Sequence, residues 1–194
     1  GRIVHDDVVV AMNPATIQKD ATYILDGGVL FYADHLEKPE IKDKEVIFYP
    51  MPIKALMKQV DVPRNLQSYM ENMLYVGIVG QVLRIPEEIL KATIDHQFRG
   101  KPAIAESNFN IVKLGFQYAL ENIEKKDHFY LEQLPELKDY ILTDGNNAGA
   151  LGSLYGGVQF CAWYPITPAT SLVESAIEQV GKLRKDPKTG KNTC

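Results

Sequence analysis

The first sixty residues alternate short apolar runs with segments of helical spacing. Continuous apolar runs over residues 7–12, 29–32 and 46–49 predict three buried strands. Residues 15–24 separate the first two runs and predict a helix, and residues 53–60 predict a short helix after the third run. Strands without polar alternation that are separated by helices are typical of a parallel sheet, so this part of the chain is predicted to be α/β.

Glycine and proline are expected to mark the ends of these strands. Asp26-Gly27-Gly28 precedes the second run, and Pro50 and Pro52 follow the third. Glycine favours tight turns and proline cannot donate to a sheet ladder. The glycine pair is therefore predicted to be a turn into the second strand, and the prolines to end the third strand.

The middle of the chain has helical periodicity. Residues 66–85 predict an apolar helix with interior Gly77 and Gly80, a composition typical of a buried core or a subunit interface. Two further helices are predicted over residues 86–98 and 101–124, the first of them starting with a proline and two glutamates. A loop is expected to follow and to link this domain to a second one.

The second domain is expected to open with a strand and a glycine-rich helix. Residues 140–142 form an apolar run that predicts a strand, and Asn146 or Asn147 is predicted to cap the helix after it. Small residues at spacings of four, which include Gly149 and Gly152, form a smooth stripe on that helix. Because each interior glycine costs roughly 1 kcal/mol against alanine, we expect another backbone or a ligand to approach the stripe closely.

The most constrained segment is Tyr164-Pro165-Ile166-Thr167-Pro168. Each proline disfavours the helical conformation in the residue before it, and Pro168 suits the first position of the helix that residues 169–183 predict. Thr167 is thus predicted to be the N-cap. A hydroxyl beside a helix N-terminus suits a carboxylate or a phosphate. The alternative is that Thr167 only caps its own helix.

The charge and the cysteine and histidine content of the chain argue against several classes of function. The net charge is −4 and the pI is about 5.6, which argues against a nucleic-acid surface. Cys161 and Cys194 do not form a CxxC pair, and the four histidines have no metal-binding spacing, so the chain is not predicted to hold zinc or an iron–sulfur cluster. The absence of an apolar run of about 18 residues argues against a membrane partner, and a reduced cytoplasmic protein fits best.

Two stretches together resemble a known family. YPITP, with DGNNAGALG before it and VQFCAW between, and DDVVVAMNPAT at residues 6–16 resemble the 2-oxoacid:ferredoxin (2-oxoacid:acceptor) oxidoreductases. The resemblance is to an alpha subunit with an N-terminally fused gamma domain. It implies an incomplete gamma-domain parallel sheet with a helical segment over residues 1–131. Residues 132–194 are then expected to be the start of the pyrimidine-binding domain of a thiamine-diphosphate enzyme.

The resemblance also implies a reaction, which is oxidative decarboxylation of a 2-oxoacid to acyl-CoA and CO2 with electrons passed to ferredoxin. The PATSLVE continuation looks closest to members acting on 2-oxoglutarate. By the family pattern Thr167 contacts the carboxylate or carbonyl of the 2-oxoacid, and Tyr164 and Pro165 shape the same pocket. The implied cofactors are thiamine diphosphate with Mg²⁺ and an iron–sulfur cluster, whose ligands are expected mostly outside this chain, with CoA as co-substrate. The implied partners are a thiamine-diphosphate-binding beta subunit and ferredoxin.

The chain also departs from the family pattern. It lacks the glycine-rich opening of the gamma domain and the later segment that carries the glutamate of the thiamine site, so it is expected to be an internal fragment that is inactive alone. Two other hypotheses stay open. One is a non-catalytic module held to partner subunits by residues 66–85 and the glycine stripe. The other is a binder of CoA or another nucleotide at the helix N-termini after Asp144 and Thr167.

Overall fold

The computed structural model describes residues 5–63, 66–134 and 139–193. The chain divides into two compact units, Gly1–Gln133 and Leu134–Cys194. Within the described ranges the first unit has three strands and five helices, and the second has two helices. No helix in these ranges combines the length and the apolar character needed to cross a bilayer.

The first unit contains a parallel sheet, as the apolar runs predict. Its strands are β1 (Asp6–Ala11), β2 (Ile24–Ala33) and β3 (Ile47–Met51), in the order β1-β2-β3. Helix α1 (Ile17–Thr22) connects β1 to β2, and the short helix α2 (Ile53–Met57) follows β3. The α/β class predicted from the sequence is therefore confirmed.

Alternate residues of β2 face two different cores. Phe31 pairs in register with Tyr49 of β3, and their rings stack with centroids 5.0 Å apart in the larger core. Leu30 points to the opposite face, where it packs with Ile17 and Ala21 of α1. Because successive strand residues face opposite sides, a strand that is apolar at nearly every position requires cover on both faces, and both faces are covered here.

Two closely packed helices cover the larger core. The remaining helices of the unit are α3 (Gln67–Val82), α4 (Glu87–Gln97) and α5 (Pro102–Asn122). The backbones of α3 and α5 approach each other at Gly77 and Gly115. A Cβ added to Gly77 would lie 2.0 Å from the Val112 carbonyl oxygen, and one added to Gly115 would lie 2.6 Å from the Leu74 carbonyl oxygen. These interior glycines are therefore explained by helix packing.

A buried polar network fastens the segment after α5 to the sheet. The Tyr49 hydroxyl donates to Asp127 Oδ2 at 2.7 Å and accepts from the Lys126 N–H at 2.7 Å. Lys125 Nζ and the Phe129 N–H both donate to Asp127 Oδ1, at 2.6 and 2.8 Å. Burial by itself would raise the pKa of the Asp127 carboxyl, but the hydrogen bonds from Lys125, Tyr49 and Phe129 outweigh it and lower that pKa. Burial raises the pKa of Tyr49.

The turn predicted at the glycine pair is wrong, and the predicted strand end is right for Pro52 but wrong for Pro50. Asp26, Gly27 and Gly28 lie within β2, where Gly27 has a φ of +76° and donates its N–H to the Glu45 carbonyl at 2.7 Å. The strand continues through the glycines because an irregularity in the β1–β2 register absorbs them. β3 ends at Met51, directly before Pro52, but it includes Pro50. A proline can lie there because β3 is at the edge of the described sheet.

The second unit is built on two helices that run side by side in the same direction. Helix α6 spans Gly145–Tyr155 and α7 spans Ala169–Leu183, the range that the sequence predicts. Leu172 contacts the Gly149 position near the start of the pair, with 3.6 Å to a Cβ built there. At the other end the Arg184 guanidinium donates to the Leu154 carbonyl oxygen. These contacts place both N-termini at one end of the pair.

The predicted strand over residues 140–142 is wrong. Tyr140, Ile141 and Leu142 do not belong to any strand, and all three side chains are largely exposed. A strand needs a hydrogen-bonded neighbour, and the described residues of this unit contain no other strand, apart from a single antiparallel bridge between Lys185 and Asn192.

Candidate functional site

The N-terminus of α6 is capped by an aspartate. Asp144 Oδ1 accepts from the Asn147 N–H at 2.8 Å, and Oδ2 accepts from Asn147 Nδ2 at 2.6 Å. The predicted cap by Asn146 or Asn147 is therefore wrong, because a carboxylate one turn earlier takes the free N–H. The Asn147 backbone N–H, and then its side-chain amide, lower the pKa of the Asp144 carboxyl. This helix end thus already carries an anion.

Both asparagines of the first turn of α6 instead contact α7, Asn146 at its start and Asn147 at its second turn. Asn146 Nδ2 donates to the Pro168 carbonyl at 3.1 Å and to Ser171 Oγ at 2.6 Å. The buried Ser175 hydroxyl donates to Asn147 Oδ1. Sequence reasoning missed this role. The available signal was Ser171 and Ser175, spaced four apart on one face of a helix that begins after a proline.

Thr167 lies immediately before the start of α7, but it is not the cap. Pro168 occupies the N-cap position, and no side-chain hydrogen bond caps the helix. The Thr170 N–H, which a threonine cap at position 167 would bind, instead donates to the Ile166 carbonyl at 3.3 Å. The cap prediction is wrong by one residue, and the Thr167 side chain is exposed.

The other two predicted site residues lie on the same exposed segment. Tyr164 is 71% exposed, and Pro165 is exposed beside it. Neither the N-cap position nor the first turn of α7 contains an acidic residue, whereas α6 has Asp144 at its N-cap. Because a helix N-terminus attracts negative charge, the start of α7 beside the Thr167 hydroxyl has the electrostatic character that a carboxylate needs.

The last glycines of the glycine-rich segment form the C-terminal end of α6. Gly156 is the C-cap of α6, and Gly157 follows it with a φ of +87°. The Val158 N–H closes this end by donating to the Ser153 carbonyl at 3.1 Å. Within α6 itself, the side chain of Leu172 approaches Gly149, while a Cβ at Gly152 would meet nothing within 4 Å. The close approach of another backbone or a ligand therefore stays a prediction.

The described residues do not fit the role of a metal centre. Across residues 5–63, 66–134 and 139–193, no three His, Cys, Asp or Glu side chains come together in a way that could hold a metal ion. Cys161 is an exposed free thiol. An iron–sulfur cluster requires several cysteine ligands, and protein-bound Mg²⁺ requires carboxylate or phosphate oxygens.

Comparison with known proteins covers most of the chain. The family model described as pyruvate ferredoxin/flavodoxin oxidoreductase matches residues 2–118. The alpha subunit of 2-oxoacid:ferredoxin oxidoreductase from Saccharolobus solfataricus is 30% identical over 155 residues, which are 77% of this chain and 23% of that subunit. The 2-oxoglutarate oxidoreductase subunit KorA from Mycobacterium tuberculosis is 26% identical over 194 residues, covering 86% of this chain and 29% of KorA.

A solved structure matches both units. It is a 2-oxoglutarate:ferredoxin oxidoreductase from Magnetococcus marinus with 2-oxoglutarate, coenzyme A and succinyl-CoA bound, and it superposes with a TM-score of 0.74 at 30% sequence identity. The match covers 91% of this chain and 30% of the other. The chain therefore spans less than a third of the length of the relatives it matches.

Proposed function

The chain belongs to the pyruvate ferredoxin/flavodoxin oxidoreductase family, and we propose that it is part of a 2-oxoacid:ferredoxin oxidoreductase. The proposed reaction is oxidative decarboxylation of a 2-oxoacid to acyl-CoA and CO2, with electrons passed to ferredoxin. One observation carries the proposal. The structural similarity to a 2-oxoglutarate:ferredoxin oxidoreductase extends over 91% of this chain, at 30% identity, and so includes both units.

We propose that residues 1–131 are a gamma domain and that residues 132–194 belong to a pyrimidine-binding domain. The family match over residues 2–118 supports the first assignment. The division of the chain between Gln133 and Leu134 lies close to the proposed boundary. The parallel sheet of the first unit and the paired helices of the second are compatible with these assignments.

The proposed substrate is 2-oxoglutarate. The Magnetococcus enzyme has 2-oxoglutarate bound, and KorA from Mycobacterium tuberculosis is a 2-oxoglutarate oxidoreductase subunit. The alternative assignment is a branched-chain 2-oxoacid. The ketoisovalerate oxidoreductase subunit VorA from Methanothermobacter thermautotrophicus is 27% identical to this chain over 119 residues. The assay below therefore compares these substrates directly.

We propose that the Thr167 hydroxyl donates a hydrogen bond to the carboxylate or carbonyl oxygen of the 2-oxoacid. The hydroxyl is exposed and does not cap α7, so it is free to contact a substrate. The start of α7 adds favourable electrostatics for the negative charge of the carboxylate. Tyr164 and Pro165 are proposed to form the wall of the same pocket. Asn146, through the Pro168 carbonyl, holds the segment in place.

The proposed cofactors are thiamine diphosphate with Mg²⁺ and an iron–sulfur cluster, with CoA as co-substrate. Thiamine diphosphate supplies the electron sink for decarboxylation when it is bound. The described residues do not fit a metal or cluster site. We therefore place those ligands mostly outside this chain, in a partner beta subunit or in other domains, and derive no step from them here. We also propose a cytoplasmic location, which the exposed free thiol of Cys161 supports.

The test is purification of the native gene product together with the proteins that bind it, followed by an assay of viologen reduction. The expected result is reduction that requires both CoA and a 2-oxoacid, with 2-oxoglutarate giving a higher kcat/KM than pyruvate or 2-oxoisovalerate. Reduction by none of the three substrates would refute the proposal. A preference for 2-oxoisovalerate would refute the substrate assignment while leaving the reaction class in place.

A further inference from the structure

Two sets of hydrogen bonds join the start of α6 to the first two turns of α7. In the first set, Asn146 Nδ2 donates to the Ser171 hydroxyl at 2.6 Å. The second set is the interhelix network, which consists of Asp144, Asn147 and Ser175. Asn147 lies at its centre, because its Nδ2 donates to Asp144 Oδ2 at 2.6 Å and its Oδ1 accepts from the Ser175 hydroxyl. All of these atoms belong to the second unit, so the contacts do not depend on neighbouring domains.

The hydrogen bonds of the interhelix network have one possible direction. The Asn147 N–H and then its side-chain amide lower the pKa of the Asp144 carboxyl, so this carboxyl is ionised at neutral pH and only accepts hydrogen bonds. The amide of Asn147 must therefore turn its Nδ2 toward Asp144, which leaves Oδ1 facing Ser175. Because an amide oxygen only accepts, the Ser175 hydroxyl must donate. A substitution that turns a donor of the network into an acceptor is thus expected to break it.

Burial of Ser175 makes the interhelix network selective for one position of α7. Ser175 is only 7% exposed, and a buried hydroxyl that loses its partner costs the free energy of an unmade hydrogen bond. Positions of α7 in which Ser175 does not face Asn147 are therefore disfavoured. A buried polar network in which every group is paired favours a single arrangement of the elements around it.

The two sets of hydrogen bonds together fix both the height and the direction of the first turns of α7. Ser171 and Ser175 are four residues apart on this helix, which corresponds to about 6 Å along its axis. A single contact would let α7 rotate about that point, whereas two contacts at different heights prevent the rotation. Asn146 and Asn147 are adjacent in α6, so both contacts start from the same turn of that helix.

We propose that Asn147 and Ser175 are positioning residues for the 2-oxoacid site, which set the place of the Thr167 hydroxyl through α7. The inference rests on the proposed function, because it requires Thr167 to contact the substrate. Thr167 lies immediately before the N-cap of α7, and the Thr170 N–H donates to the Ile166 carbonyl at 3.3 Å. The segment before α7 is thus joined to the first turn, and a shift of that turn moves Thr167 with it. A displacement of about 1 Å in a catalytic site can cost about a hundredfold in rate.

An exchange of two residues tests the interhelix network in the complete enzyme, purified with the proteins that bind it and assayed by viologen reduction. Asn147→Asp places a second carboxylate against Asp144 and should lower kcat/KM for 2-oxoglutarate about 10- to 100-fold. Combining it with Asp144→Asn restores one amide donor facing one carboxylate, and asparagine caps a helix as well as aspartate does. The exchanged double variant should therefore return to within about threefold of the wild type.

A double-mutant cycle tests whether Ser175 acts through Thr167. Ser175→Ala should lower kcat/KM for 2-oxoglutarate about three- to tenfold and change KM for CoA less than about twofold. Adding Ser175→Ala to Thr167→Val should lower kcat/KM by less than about twofold beyond Thr167→Val alone, because the same substrate contact is not lost twice. The matched control is Ser153→Ala, whose hydroxyl donates to the Gly149 carbonyl of its own helix at 2.8 Å. It should leave kcat/KM unchanged.

The wild type decides the proposed function, and the variants decide this inference. A wild-type complex that reduces viologen with none of the 2-oxoacids would refute both. With an active wild type, three results would overturn the positioning role alone: costs of Ser175→Ala and Thr167→Val that multiply, an exchanged variant that does not recover, or an unchanged kcat/KM in Thr167→Val. Thermal unfolding of each purified complex separates positioning from stability. Losses of activity that follow the loss of folded enzyme would show that the network only stabilises the helix pair.

Discussion

Gly77→Ala tests whether the close approach of α3 and α5 stabilises the first unit. The added Cβ would lie 2.0 Å from the Val112 carbonyl oxygen and 2.8 Å from the Phe116 nitrogen, and both of these atoms belong to backbone. Ordinary contact begins near 3.4 Å, so the two helices must separate by about 1.4 Å at this point. Neither a change of rotamer nor the movement of a flexible side chain can relieve the clash.

The expected cost follows from the residues around the contact. Leu74, Ile78 and Val112 are at most 1% exposed, and a gap of even 0.5 to 1 Å loses about a quarter to a half of the dispersion energy between facing atoms. Overpacking costs typically about 1–3 kcal/mol, occasionally more. Replacing glycine by alanine inside a helix also stabilises the helix by about 1 kcal/mol, which offsets part of this cost. Both contacted atoms are backbone, so we take the upper end of the overpacking range, about 3 kcal/mol. After subtracting the gain in helix propensity, we expect the free energy of unfolding to fall by about 2 kcal/mol.

The assay is urea unfolding followed by circular dichroism, with Gly152→Ala as the matched control. Gly152 is also a helix-interior glycine, but a Cβ there meets nothing within 4 Å. The control should therefore be neutral or stabilising by up to about 1 kcal/mol. If Gly77→Ala were as stable as the wild type, the helices would not be in backbone contact at this position and the packing described for α3 and α5 would be wrong.

Three further predictions concern the polar networks. Tyr49→Phe should lower the free energy of unfolding by about 1–3 kcal/mol, because the Lys126 N–H and the Asp127 carboxylate each lose a hydrogen-bond partner. The control is Tyr69→Phe, at an exposed position. A loss of stability in Tyr49→Phe no larger than in this control would contradict the prediction. The pKa of Asp127 is lower in the folded chain than its ordinary value of 3.8. The stability that the ionised Asp127 carboxylate gives to the folded state is therefore present above that value and is lost as the pH falls through the folded-state pKa. The stability advantage of the wild type over Asp127→Asn should thus shrink below about pH 4, and an advantage that grows on acidification would contradict the assignment. Asn146→Ala, which releases the Pro168 carbonyl, should lower kcat/KM of the complete enzyme about three- to tenfold, and an unchanged value would show that Asn146 does not position the segment.

The elements with clear periodicity were predictable from the sequence. The range of α7 is confirmed as residues 169–183, since a proline before it and apolar residues at helical spacing define both its start and its face. The parallel sheet of the first unit is confirmed for the same kind of reason. Continuous apolar runs separated by a helix leave few alternatives to strands that are covered on both faces.

Local turn and cap assignments were harder to predict. Gly27 lies within β2 because a long-range hydrogen bond to Glu45 and an irregular register hold it there, and local sequence contains neither fact. The cap of α6 is decided by competition between Asp144 and its neighbours for one N–H. Residues 140–142 have the composition of a strand, but strand formation depends on a neighbour that local sequence does not reveal.

The candidate site was predictable in part. Thr167, Tyr164 and Pro165 were identified from proline spacing and family resemblance, and the structure places all three on one exposed segment at the start of α7. The contacts that hold this segment involve Asn146 and Ser171, which are twenty-five residues apart in the sequence. Such tertiary hydrogen bonds leave only a weak local signal, so sequence reasoning did not find them.

A substrate contact at Thr167 is tested most directly by the kinetics of Thr167→Val and Thr167→Ser in the complete enzyme. Valine keeps the shape of threonine and removes its hydroxyl, whereas serine keeps the hydroxyl. If the Thr167 hydroxyl binds the substrate, Thr167→Val should lower kcat/KM for 2-oxoglutarate about 10- to 100-fold, which corresponds to the loss of one hydrogen bond to a charged group. Thr167→Ser should stay within about threefold of the wild type, and unfolding of both variants should match the wild type because the hydroxyl does not cap α7. An unchanged kcat/KM for Thr167→Val, or a loss that follows unfolding, would contradict a substrate contact at Thr167.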